Sequence, residues 1–376
     1  MLRKTDKRKV LILSCGTGEG HNSAAKALAE NLNGRGIECE IKDSVSFRSE
    51  KARRRITGLY NRLIRRAPAL FGCIYKLGAL YDRLGLPSPI YAYHASYAEK
   101  LYAYIKEGGF THVLCTHLFG METVTAVRKK YAPDLPCYGI LTDYTDVPFY
   151  KDTELDGYFV ANGRSKEQLI EKKKRGDRIF CTGIPVSAKF SAGGEDARRR
   201  LSLPQDKKIL VVMSGGAGCG KIVGLCRKLR RSPVGNACVC LFTGNNGKLK
   251  RKLTKRFGSD SRFRIVGFTN EVYLYLKAAD LVFSKPGGLS STEIAVSNVP
   301  LVQLKAIPGC ETENRKYFTR NGLSVYARSA RVAVQKASAL LSDPCALTFM
   351  TENQRRLIPP DSCDRIVDRI LEAQHD

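Results

Sequence analysis

The chain has 376 residues, enough for two domains with cores of their own, and its 43% apolar content suits a globular rather than a disordered protein. No run approaches the ~18 uncharged apolar residues of a membrane span, and thirteen scattered cysteines without a Cys-x-x-Cys pair read as small buried thiols of a reduced, cytoplasmic protein rather than a disulfide scaffold. The net charge of +27, from 63 basic and 36 acidic residues, implies an anionic partner: nucleic acid, anionic lipid or a phosphorylated substrate.

The basic start, MLRKTDKRK, runs straight into an apolar strand at 10–14, so no signal peptide is expected. Gly16, Gly18 and Gly20 then form a tight turn. A helix near 21–33 follows, with Ala24, Ala25, Leu28 and Leu32 at helical spacing. The pattern Gly16-x-Gly18-x-x-His21 puts histidine where a dinucleotide fingerprint has glycine, which disfavours a nicotinamide site. After a strand at 37–42, a helical stretch over 50–84 is strongly basic. Arg53, Arg54, Arg55, Arg62, Arg65 and Arg66 alternate with Ile56, Leu59, Tyr60, Leu63 and Ile64, and the apolar patch Leu70, Phe71, Ile74, Tyr75 and Leu77 follows. This reads as an amphipathic element on an anionic membrane surface; a core-packed helix with a solvated basic face gives the same pattern. No RNA- or DNA-reading motif is present, so no nucleic-acid partner is expected.

Strands at 112–115, 137–142, 157–160 and 178–181 alternate with helices near 90–107, 120–131 and 164–175. A Gly-, Ser- and charge-rich break at 187–197 reads as a linker, and the alternation restarts. The second half has strands at 208–213, 237–242, 263–266, 280–283, 300–303 and 324–327. Its helices fall near 219–231, 247–257, 270–278, 290–297, 311–321 and 330–342, and the tail 361–374 is amphipathic through Ile366, Val367, Ile370 and Leu371. The pattern predicts an α/β chain with two parallel sheets. The expected domains are 1–190 and 197–357, with a final helix in 358–376.

Two glycine turns in the second half carry chemistry. GGAGCGK, residues 215–221, has P-loop spacing, but Ile222 stands where a Ser or Thr would bind Mg²⁺, which argues against a nucleoside triphosphatase. In AADLVFSKPGGLSSTEIAVSNVP, residues 278–300, a short strand ends in the turn Pro286-Gly287-Gly288. Ser290, Ser291 and Thr292 are N-cap candidates for a helix with Glu293 in its first turn. A glycine turn opening onto a helix N-terminus presents backbone N–H groups and the helix dipole to a phosphate.

The segments GEGHNSAA, TDY, TGIPVSAKF, GGAG, KPGGLSSTE and Pro-Gly-x-Glu-x-Glu-Asn occur in this order over almost the whole chain. Together they resemble glycosyltransferase family 28, which holds the monogalactosyldiacylglycerol synthases, the processive diacylglycerol glucosyltransferases and the peptidoglycan N-acetylglucosaminyl transferase. The resemblance implies the GT-B fold, two Rossmann-like domains facing across a cleft, with the last helix returning to the first domain and the first domain meeting the bilayer. It implies inverting transfer of a hexose from a UDP-sugar to a lipid hydroxyl, that of diacylglycerol, without cofactor or metal. It also implies a place at the inner face of the cell membrane. His21 is then the base, of near-neutral pKa, and Gly18, Glu19 and Gly20 form the acceptor loop. Asp143 orients the base or the acceptor, although its residues alone read equally well as a helix cap. The donor is held by Gly216, Ala217, Gly218, Asn245, Phe268 (beside uracil), Pro286, Gly287, Gly288, Leu289, Ser290, Glu293 (on the ribose), Glu311, Glu313 and Asn314. Three positions depart from the family pattern: Val147 and Tyr150 replace a His and a Trp, and Cys310 replaces a Gln. They leave the sugar and acceptor open. A polyprenyl-linked saccharide acceptor, or a non-catalytic UDP-sugar- or lipid-binding protein, fits the same residues.

Overall fold

The structure, a computed structural model, describes residues 8–84, 88–213 and 222–372. The chain divides into two compact units. One runs to Ser187 and takes in the tail from Asp361; the other spans Ala188–Pro360.

The first unit contains β1 (Lys9–Ser14), α1 (Glu19–Gly34), β2 (Glu38–Asp43), α2 (Glu50–Arg66), α3 (Pro68–Arg83), α4 (Pro89–Ala95), α5 (Ala98–Gly108), β3 (His112–Cys115), α6 (Leu118–Lys130), β4 (Cys137–Ile140), β5 (Gly157–Val160), α7 (Gly163–Glu171) and β6 (Ile179–Cys181). Its six strands are parallel, in the order β2-β1-β3-β4-β5-β6. Side chains alternate across the sheet. From β1, Leu11 and Leu13 join one core with Leu101, Met121 and Val124. Val10 and Ile12 enter the other, against Ala25 and Leu28 of α1.

The second unit contains α8 (Ala197–Arg200), β7 (Ile209–Met213), α9 (Ile222–Arg230), β8 (Cys238–Phe242), α10 (Gly247–Phe257), β9 (Phe263–Val266), α11 (Val272–Ala278), β10 (Leu281–Ser284), α12 (Gly288–Val296), β11 (Leu301–Gln303), α13 (Cys310–Arg320), β12 (Val325–Tyr326), α14 (Ala330–Leu341) and α15 (Pro344–Leu357). Its parallel order is β12-β11-β10-β7-β8-β9, the doubly wound order of a Rossmann sheet. The tail helix α16 (Ser362–Glu372) packs Ile366, Val367 and Ile370 into the α1 side of the first unit. Arg35, at the end of α1, pairs with Asp364 and Asp368.

In open parallel sheets, ligands bind beyond the carboxyl ends of the strands where the strand order reverses. The first sheet reverses between β1 and β3, the second between β7 and β10. The turns that stood out in the sequence lie at these two points.

The local readings need four corrections. The helix expected over 50–84 is two helices, because Pro68 cannot donate to a preceding turn and instead starts α3. The helix expected over 90–107 breaks into α4 and α5 at Ser96 and Tyr97. Ser290, Ser291 and Thr292 do not cap α12; the helix starts at Gly288, Ser291 and Thr292 are buried, and Thr292 Oγ1 donates to the Gly288 carbonyl at 2.7 Å. Glu293 is therefore in the second turn. Helix α15 has no apolar period to find: its buried face includes Asn353 and Gln354, and Gln354 Nε2 donates to the carbonyls of Val299 and Leu323.

Candidate active site

In the first unit the site is built from the loops after β1, β3 and β4. The turn after β1 is tight for a steric reason: a Cβ on Gly16 would lie 2.8 Å from Thr57 Oγ1, and Gly18 has φ +123°. The Gly16 N–H donates to Asp43 at the end of β2 at 2.9 Å. Gly18 then serves as the N-cap of α1. Glu19 is exposed, and His21 sits in the first turn.

Two groups fix the His21 ring. Its Nδ1 lies 2.9 Å from the Thr116 carbonyl and 2.8 Å from Thr142 Oγ1. A carbonyl only accepts, so Nδ1 carries the hydrogen and Nε2 keeps the lone pair. Burial pushes the His21 pKa down to about 4, against a smaller upward pull from the Thr116 carbonyl. The near-neutral value expected from the sequence is thus too high, and the imidazole is neutral at pH 7, with Nε2 unprotonated. Asp143 follows Thr142 in the same loop and is half-buried.

One neighbour escapes sequence reasoning. His117 packs edge-on to His21, ring centroids 4.5 Å apart. It caps α6: its Nδ1 accepts from the Phe119 N–H at 3.1 Å, which leaves Nε2–H to donate to Thr17 Oγ1 at 2.9 Å. Burial holds its pKa well below the ordinary value. Phe119 in turn stacks on His94 at 4.2 Å. Behind it lies Glu122, whose carboxyl burial pushes up to about 8 and to which Ser88 Oγ donates at 2.9 Å. The His21 ring is therefore backed by a neutral His117 of fixed tautomer. The available signal was a histidine just past a buried strand, and it acquires meaning only once β3 lies beside β1.

The loop after β4 is also stitched to α3. Lys172 Nζ lies 2.8 Å from Asp82 of α3 and 2.5 Å from Asp146, and it donates to the Val147 carbonyl at 2.8 Å. Phe149 packs against Gly78 and Tyr81 of α3. Val147 is partly buried against the core and Tyr150 is in it, so both residues that depart from the family pattern pack inward. Asp82 is 8% exposed. Lys172→Met should cost about 1–3 kcal/mol, because it leaves the buried Asp82 carboxylate with only the looser Lys151 pair at 3.7 Å. Urea unfolding checks this, and adding Asp82→Asn should recover part of the loss. Equal losses in the single and double variants would contradict the clamp.

In the second unit the turn after β10 leads into α12 with Gly287 as N-cap and no side chain capping the first turn. The N–H groups of Gly288, Leu289 and Ser290 are the open donors of a helix start. Glu293 is half-buried, and burial pushes its carboxyl up to about 8. Among the described residues it has no hydrogen-bond or ion-pair partner.

Pro286 is buried and its carbonyl accepts from Asn314 Nδ2 at 3.2 Å. Glu311 pairs with Lys285 and accepts from the Ile307 N–H at 2.8 Å. Both residues were expected on the donor, and these bonds tie them to the turn that precedes α12. Glu313, in the first turn of α13, pairs with Lys316 at 2.6 Å, and Cys310 is half-buried. Asn245 and Phe268 are exposed beyond β8 and β9. Gly216, Ala217 and Gly218 lie outside the described residues. Among the described residues no cluster of three His, Cys, Asp or Glu side chains is placed to hold a metal.

The family model of monogalactosyldiacylglycerol (MGDG) synthase matches residues 21–186. A processive diacylglycerol β-glucosyltransferase of Bacillus cytotoxicus is 30% identical over 98% of this chain and 94% of its own length. The chain belongs to this glycolipid glycosyltransferase family. The enzyme of the same name from Bacillus thuringiensis is 27% identical over 98% of the chain and 94% of its length. Among solved structures, MurG of Acinetobacter baumannii aligns over 97% of this chain and 99% of its own, with a TM-score of 0.63 at 15% identity. A UDP-GlcNAc 2-epimerase of Neisseria meningitidis aligns over 97% of this chain and all of its own, with a TM-score of 0.62 at 12% identity. At 12–15% identity these likenesses give the GT-B fold and no more. The family assignment comes from the sequence relatives.

Proposed function

We propose that this chain transfers a hexose from a UDP-sugar to the hydroxyl of diacylglycerol, with inversion at the anomeric carbon. The observation that carries the reading is His21, whose Nδ1 is tied to Thr116 and Thr142 while Nε2 stays unprotonated. Nε2 takes the proton of the acceptor hydroxyl as that oxygen attacks the anomeric carbon. The bond from that carbon to the diphosphate breaks, and UDP leaves with the electron pair. A base of pKa about 4 is weak alone; the developing charge on the leaving diphosphate favours the imidazolium as transfer proceeds. The open N–H groups at the start of α12 stabilise the diphosphate without a metal. Glu293 accepts from the ribose diol. The family assignment and the MGDG synthase match support a glycerolipid acceptor over a polyprenyl-linked one.

Such an acceptor stays in a bilayer, so the first unit must reach the surface, and α2 and α3 have the chemistry for it. On α3, Leu70, Ile74, Leu77 and Leu80, with Leu84 just beyond it, lie on one face and are 50–65% exposed. On α2, Leu59 is exposed in a row with Arg55, Arg62 and Arg66. Arg54 is also exposed; Arg53 is half-buried and pairs with Glu50, and the Arg65 side chain lies outside the described ones. A contiguous exposed apolar stripe beside arginines fits the interface of an anionic membrane. Among the described residues no helix is long and apolar enough to cross it.

Vesicle co-sedimentation should rise with phosphatidylglycerol and fall with salt, each arginine contributing about 1 kcal/mol near the surface. Replacing Arg53, Arg54, Arg55, Arg62, Arg65 and Arg66 by Gln should weaken it at least tenfold while UDP binding persists. Sedimentation indifferent to all six changes would return α2 to the status of a solvated face.

A further inference from the structure

The charge of this chain is concentrated away from α2 and α3. Residues 188–360 hold 30 basic and 11 acidic residues, so 19 of the 27 excess positive charges belong to the second unit. The densest part is between Ile222 and Arg264, where twelve basic residues meet one acidic residue, Asp260. Helix α10 is the core of this patch. Leu253 and Phe257 are buried and Leu249 is partly buried, at a spacing of four, so one narrow stripe seats the helix. The other positions carry Lys248, Lys250, Arg251, Lys252, Lys255 and Arg256, all exposed, and no acidic residue. The end of α9 adds exposed Arg227, Lys228, Arg230 and Arg231. The two helices join there: the Arg230 guanidinium lies over the Phe257 ring at 5.7 Å, and Arg262 donates to the Arg230 carbonyl.

Folding alone gives no reason for this arrangement. Like charges four apart, as at Lys248 and Lys252, Arg251 and Lys255, and Lys252 and Arg256, oppose the helix, and α10 contains no carboxylate to relieve them. In α2, by contrast, Glu50 pairs with Arg53. We propose that the α9–α10 face of the second unit is a second docking surface for anionic lipid headgroups, separate from the α2–α3 face. Positive charge at this density complements a phosphatidylglycerol-type surface. A single-stranded nucleic acid would call for aromatic platforms as well, and the exposed residues of α9 and α10 include none.

The test uses the full chain and vesicles of phosphatidylcholine with about a third phosphatidylglycerol, at low and at physiological salt. The variant Lys248→Gln, Arg251→Gln, Lys252→Gln, Lys255→Gln, Arg256→Gln spares Lys250, which lies beside Gly267. It should bind these vesicles at least tenfold more weakly and with a shallower salt dependence, at a melting temperature no lower than the parent's. Should it fail to fold, Lys252→Glu, Arg256→Glu supplies the same readout with two changes near the end of the helix. Parent-like vesicle binding by a folded variant overturns the proposal. So does a loss confined to a single-stranded oligonucleotide, with vesicle binding intact. The six-arginine variant of α2 run in parallel separates the two surfaces: each should lower binding alone, and failure of one leaves the other standing.

Discussion

Alanine at position 21 is expected to lower turnover by about 10²–10⁴, the usual contribution of a positioned general base. UDP affinity should stay nearly unchanged, because His21 and the turn before α12 belong to different units. The pH profile has a definite sign. The active form of His21 is the neutral one and its pKa is about 4, so the log of kcat at saturating UDP-sugar, where Glu293 is already engaged, should be flat from about pH 8 to 5 and fall as the pH approaches 4. Turnover within a few-fold of the parent would demote His21 to a structural role and make Asp143 the better candidate. A loss centred near pH 6.5 would contradict the buried, carbonyl-tied imidazole.

Removing the Glu293 carboxyl should weaken UDP binding by about 1.5–3 kcal/mol, the range for a hydrogen bond to a charged group. The elevated pKa adds a second signature. At pH 7 burial keeps Glu293 largely protonated, whereas a carboxylate is what accepts both hydroxyls of a ribose. Binding should therefore tighten as pH rises toward 8, and calorimetry below pH 8 should detect proton release on binding. Both effects should vanish in Glu293→Gln. Unchanged affinity in Glu293→Ala would remove the ribose assignment. Binding should also survive EDTA, and a strict Mg²⁺ requirement would revive the P-loop reading of residues 215–221.

The alternation of both sheets was legible because buried parallel strands are short continuous apolar runs, as in Ile209–Met213 and Leu281–Ser284. The turn after β1 was legible because Gly18, at φ +123°, holds backbone that few residue types adopt, and the turn after β10 because Pro-Gly-Gly ends an apolar run. What escaped depended on tertiary neighbours. The pairing of Glu311 with Lys285 was one such feature: Lys285 lies at the end of β10 and meets Glu311 only through the packing of that turn against α13. Ser291 and Thr292 are cap formers by type, yet they sit inside α12, where Thr292 bonds to the previous turn. His117 and Thr142 meet His21 from strands far along the chain. Leu59 fitted the apolar set of α2 by spacing, but it is exposed among arginines. Charge also misled by clustering: residues 47–86 drew attention, while most of the excess lies in the second unit.

The central claim is transfer to a glycerolipid. It is tested most directly by incubating the protein with diacylglycerol-containing anionic vesicles and a panel of UDP-hexoses, and following UDP release and lipid products together. The account predicts a glycosyl-diacylglycerol formed in step with UDP from at least one sugar, lost in His21→Ala and retained in EDTA. UDP release or sugar epimerisation without a glycolipid product, or transfer only to a polyprenyl-linked saccharide, would contradict it.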